Sequence, residues 1–149
     1  MGFFDRLFRK KGVEPDPDAP FMEHPTGDFK SAIDAMADAI RRLRALPEWN
    51  DWITLCAQGA GHREDSDQMA EIQLRRDELH VDAPPLDVES VIRRASVPAS
   101  CLTPAGANYS IANASPREAA LVLDAIFRTC MDIRPHADEG DDYAVGAEW

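Results

Sequence analysis

The feature that most constrains this chain is a change of hydrophobic period. Phe29, Ile33, Met36, Ile40 and Leu43 recur at spacings of four, three, four and three, one apolar stripe of an amphipathic helix. From Trp52 the period drops to two. Trp52–Gln58 is rich in aromatic and β-branched residues, and Gln68–Arg75 sets Ala70, Ile72 and Leu74 against Glu71, Gln73 and Arg75. A helix cannot hold the second pattern, nor a strand the first. The chain must therefore combine both elements, with helices laid on a half-buried antiparallel sheet.

Local signals set the boundaries. Asp28 is placed to cap the first helix, and Arg41, Arg42 and Arg44 put positive charge at its C-terminal end before Pro47. Gly59, Gly61 and the run His62–Asp67 read as the loop after the first strand. A tight turn at Arg76-Asp77 leads into Leu79-His80-Val81, giving three antiparallel strands. Pro84 and Pro85 stop the sheet, and Asp87 opens a short helix ending before Pro98. Tyr109–Ile111 reads as a further strand with a partner around Val97–Leu102. Ser115-Pro116-Arg117-Glu118 is a capping box with proline at the first helical position, and it starts a helix carrying Val122, Leu123, Ile126, Phe127, Cys130 and Met131. The expected fold is α+β: an antiparallel sheet of about five strands with helices on it, in the order α-β-β-β-α-β-β-α.

Four segments follow. Residues 1–11 are basic and amphipathic, with Arg6, Arg9, Lys10 and Lys11 against Asp5 (a local +3) and Phe3, Phe4, Leu7 and Phe8 on the other face. That is the pattern of an interfacial membrane helix, but so short a helix is marginal in water, and a frayed or partner-packed tail is expected rather than membrane contact. Residues 12–27 carry Pro15, Pro17, Pro20 and Pro25 among acidic side chains and read as a linker. Residues 28–134 form the domain. Residues 135–149 read as an acidic tail, yet Tyr143, Val145 and Trp149 interrupt its charge.

With 16 Lys+Arg and 27 Asp+Glu the chain carries a formal net charge of −11, which repels phosphate backbones and argues against nucleic acid as a partner. No apolar run reaches the roughly 20 residues that cross a bilayer. Three widely spaced cysteines, Cys56, Cys101 and Cys130, suit a reducing cytoplasm better than a disulfide framework. Cys56 and Cys130 are expected to be buried and Cys101 to be the exposed thiol.

No phosphate loop, nucleophile elbow or zinc helix occurs, so neither an enzyme nor a cofactor is expected. His62 with Asp65 or Asp67 is chemically able to hold a metal, but the same run is an ordinary solvated turn, and no metal is expected.

Element order, size and acidity across residues 28–134 are similar to the fold shared by type III secretion chaperones and YbjN-like proteins. That resemblance implies a peptide-binding chaperone or adaptor that grips an extended client without ATP and often forms a homodimer. The expected contacts are Trp52, Leu74, Leu79 and Val81 on the sheet, Ile126 and Phe127 on the last helix, and Tyr143 and Trp149 in the tail. The alternative is an inhibitor or immunity-type protein whose acidic tail fills a basic cleft on its target.

Overall fold

The computed structural model describes residues 31–46, 48, 50–60, 67–82, 85–135 and 143–148. In chain order the elements are α1 (Ala32–Arg44), β1 (Ile53–Ala60), β2 (Asp67–Arg75), β3 (Glu78–His80), α2 (Val88–Ala95), β4 (Thr103–Ala105), β5 (Asn108–Ser110), α3 (Pro116–Ala125) and β6 (Ala144–Glu148). A short 3-10 turn, Ala99–Cys101, precedes β4, and a π turn, Ile126–Cys130, continues α3. The α+β reading holds, with six strands in the order β4-β5-β3-β2-β1-β6, every neighbouring pair antiparallel.

The helix signals act largely where expected. The Ser115 hydroxyl accepts from the Glu118 amide at 3.1 Å while the Glu118 carboxylate accepts from the Ser115 amide at 2.9 Å, so two orphan donors are satisfied reciprocally. Asp87 caps α2 through the Ser90 amide. The cap of α1 is corrected: Ser31, whose side chain accepts from the Asp34 amide, stands before Ala32, while Asp28, Phe29 and Pro47 lie outside the described residues.

Alternation sorts β1 cleanly. Ile53, Leu55 and Ala57 point into the core with Ile72 and Leu74 of β2, Leu79 of β3, and Val145 and Ala147 of β6. Met36, Ile40 and Leu43 of α1 and Val122, Leu123, Ile126 and Phe127 of the last helix close that core from the other side. Arg44 locks the end of α1 to the sheet. Its guanidinium donates to Asp77 Oδ1 at 2.7 Å and to the carbonyls of Ala114 and Ile111 at 2.6 and 2.8 Å.

The largest correction concerns the C-terminus. Residues 144–148 are not a tail but the sixth strand, paired with β1 from Gln58↔Ala144 to Thr54↔Glu148. Tyr143 precedes that strand and is fully buried, edge-on to Phe127 with ring centroids 6.0 Å apart. Its hydroxyl donates to Asp124 Oδ1 at 2.7 Å, and Arg128 donates to the same oxygen at 2.9 Å. Gly59 makes this return possible. The strand runs through it rather than ending there, and a Cβ at Gly59 would meet the Arg134 carbonyl oxygen at 2.2 Å and Ile133 Cγ2 at 2.9 Å.

Smaller corrections have local causes. The partner of β5 is Thr103–Ala105 rather than a segment around Val97–Leu102, because Pro98 starts a 3-10 turn instead of a strand. The two cysteine expectations exchange places. Cys101 is buried, turned inward by that 3-10 turn beneath Glu118, and burial followed by the nearby Glu118 charge raises its thiol pKa. Cys130 is exposed, because a π turn advances fewer degrees per residue than an α-helix and rotates position 130 off the stripe set by Ile126 and Phe127. Cys56 is buried as expected.

Candidate functional site

Of the expected contact residues, Leu74, Leu79, Ile126, Phe127 and Tyr143 are fully buried in the core. They hold the fold together, and no partner reaches them without unfolding. Val81 is half-buried and packs on the same core. Trp149 and residues 62–66 of the run weighed for a metal lie outside the described residues, and Asp67, expected to end that loop, instead opens β2. Among the described residues no group of three or more His, Cys, Asp or Glu side chains is placed to hold a metal. Trp52 is half-buried, at the margin of the sheet face opposite the described helices.

That face is the one opposite the helices, and strand register writes its composition. The two-residue turn Arg76-Asp77, with Arg76 in the left-handed region at φ 55°, pairs Arg75 with Glu78 and Gln73 with His80. Residues of like parity along each strand share a face. Arg75, Gln73, Glu71 and Met69 therefore stand together on β2, Glu78 and His80 on β3, Asn108 and Ser110 on β5, and Thr54, Cys56 and Gln58 on β1. Trp52, just before β1, continues that row and meets Arg75 of the neighbouring strand.

Five of these side chains form one connected cluster. The Arg75 guanidinium lies over the Trp52 ring, its carbon 4.7 Å from the centroid, and donates to Glu78 Oε1 at 2.9 Å. Asn108 Nδ2 donates to the other Glu78 oxygen at 2.7 Å. The Asn108 amide oxygen thereby faces His80 Nδ1 at 2.8 Å, so Nδ1 carries the proton of the neutral ring and Nε2 keeps its lone pair. His80 also stands edge-on to Trp52, with centroids 6.2 Å apart. The hydrogen bonds from Arg75 and then from Asn108 lower the Glu78 pKa below its ordinary value, so the carboxylate stays charged through the neutral range.

Chemically, the cluster presents a fixed aromatic ring, a guanidinium with N–H donors to spare, and an imidazole held in one tautomer. Its internal charges balance, Arg75 against Glu78. Further along β2 the face changes character. Glu71 is exposed, and Met69, 54% exposed, is the large apolar side chain left open among the described residues. Cys56, between them and Trp52 on β1, is buried yet lies outside the core beneath the helices.

Of the five clustered residues the sequence singles out Trp52 as a contact, and not Arg75, Glu78, His80 or Asn108. The alternation of Glu78 and His80 around Leu79 was a usable signal that both leave the core. The separation of 28 positions between His80 and Asn108 hid their meeting, which depends on β5 pairing beside β3. Compared with protein-family models, curated proteins and solved structures, the chain matches none.

Proposed function

We propose that this protein is a non-enzymatic protein- or peptide-binding module, a chaperone or adaptor, whose contact surface is the sheet face opposite the described helices, around Trp52 and Arg75. The observation that carries this reading is the Arg75-over-Trp52 stack, joined through Glu78 and Asn108 to His80 on a half-exposed face. Ordered aromatic and arginine side chains that have already lost their rotamer freedom dominate protein contacts, since little entropy is left to lose on binding. The acidic-tail inhibitor reading has less support, because Tyr143–Glu148 are consumed in the fold as a buried anchor and a strand.

The test is affinity capture from a native extract of the source cells with the full chain, the double variant Trp52→Ala/Arg75→Ala and the control Glu89→Ala on exposed α2. Each protein is first checked for a cooperative thermal transition. A partner held by the wild type and the control but lost by the folded double variant supports the reading. Equal retention by all three would move the contact surface elsewhere.

A further inference from the structure

Resting on that reading, we infer that the occupant of this face is a basic amphipathic segment of a partner protein, laid along the outer side of β2, since Cys56 and Gln58 on the same side of β1 are buried. Three observations define the chemistry. The odd positions of β2 put Met69, Glu71, Gln73 and Arg75 in a row, which spans about 20 Å at roughly 3.3 Å per residue. The row has an apolar group at one end, Met69 at 54% exposure, and the Trp52–Arg75 stack at the other. Glu71 stands exposed between them. Its cross-strand neighbour on this face is Cys56, a buried and uncharged side chain, so its carboxylate is offered to a cation from outside.

Net charge points the same way. A chain at −11 attracts basic partners over a Debye length and repels acidic ones. A purely electrostatic partner would not need Met69 or Trp52, and a purely apolar one would leave Glu71 desolvated and unpaired. A segment with apolar side chains flanking a lysine or arginine satisfies all three positions. Such a cation meets Glu71 while the flanking apolar groups cover Met69 and the exposed part of Trp52.

The experiment titrates the full chain with one synthetic probe, the N-acetylated, C-amidated peptide LKKLLRKLL carrying a fluorophore, followed by anisotropy at low salt. Three variants accompany it: Glu71→Lys, Met69→Ser and the charge-matched control Glu89→Lys on α2, which is exposed at 87% of its side chain. Glu71→Lys is expected to weaken binding about fivefold more than Glu89→Lys does, from converting one exposed attraction into a repulsion. Met69→Ser is expected to weaken it about threefold with unchanged salt dependence. Absence of binding overturns the proposal, and so does an equal loss in Glu71→Lys and Glu89→Lys, which would mark attraction to the overall charge alone. The two readings fail separately. A cellular partner that depends on Trp52 and Arg75, together with a probe that ignores Glu71, would keep the surface and discard the basic segment.

Discussion

Gly59 carries more of this fold than a glycine in a strand ordinarily does, and replacing it with alanine is the sharpest test of how the C-terminus is held. The strand passes through Gly59 paired with Gln68, and the returning chain crosses it so closely that a methyl would sit 2.2 Å from the Arg134 carbonyl oxygen. A real contact of that kind needs about 3.4 Å or more, so the backbone at 133–134 must move by roughly 1 Å. The atom that must yield is main chain, not the tip of a flexible side chain, and the segment is tethered by the Ile133 amide bonded to the Phe127 carbonyl at 2.9 Å. Overpacking of this type costs about 1–3 kcal/mol, and loosening the tether adds a further ~1 kcal/mol for its hydrogen bond. Gly59→Ala is therefore expected to lose about 2–4 kcal/mol in urea unfolding, a large share of the ~5–15 kcal/mol of an ordinary domain. Amide exchange should quicken first in 144–148, because those residues reach β1 only after the chain has crossed Gly59. Gly106→Ala is the control: at φ 64° with nothing within 4 Å, it is expected to lose only about 1 kcal/mol, from backbone conformation alone. A Gly59→Ala protein within about 0.5 kcal/mol of wild type, with exchange in 144–148 unchanged, would refute the reasoning.

Further expectations follow from single contacts. Arg44→Ala removes one ion pair and two carbonyl partners at once and is expected to cost about 2–4 kcal/mol by chemical denaturation, with Arg44→Lys recovering less than half, since an ammonium lacks the planar fork. Tyr143→Phe, which leaves Asp124 with Arg128 but without its phenol, should cost about 1 kcal/mol, whereas Tyr143→Ala should cost about 3–5 kcal/mol and release β6, seen as exchange in 144–148. Ser96→Gly relieves a left-handed serine at φ 57° after α2 and is expected to raise the thermal midpoint, a stabilisation of about 0.5–1 kcal/mol. The pH dependence of the cluster has a definite sign. Glu78 has its folded pKa lowered, so its contribution is complete above the ordinary value of 4.5 and is lost as pH falls through the folded value. Stability measured between pH 6 and pH 3 should therefore fall more steeply in wild type than in Glu78→Gln, and parallel curves would remove Glu78 from the account.

What could be read from residues alone was whatever depends on near neighbours. The capping box at Ser115–Glu118, the Asp87 cap, the stripe from Ile33 to Leu43 and the alternation along β1 and β2 are local interactions within four residues or a fixed face period, so composition and spacing suffice. The Arg76-Asp77 turn belongs with them, since two residues between alternating runs leave little choice of register. Tertiary structure decided the rest. Residues 144–148, Ala-Val-Gly-Ala-Glu, are short and mostly small side chains after an acidic run, and only pairing with the edge of β1 makes them a strand rather than a tail. Leu74, Leu79, Ile126 and Phe127 are equally apolar whether they grip a partner or fill a core, and the helices that close over them settle it as core. Cys101 and Cys130 exchange burial because a 3-10 turn and a π turn shift the helical phase, by an amount no average period contains. The cluster on the sheet face opposite the described helices joins Trp52, Arg75, Glu78, His80 and Asn108 from four separate stretches of chain. Its existence depends on which strand lies beside which, a matter of long-range pairing that local spacing does not encode.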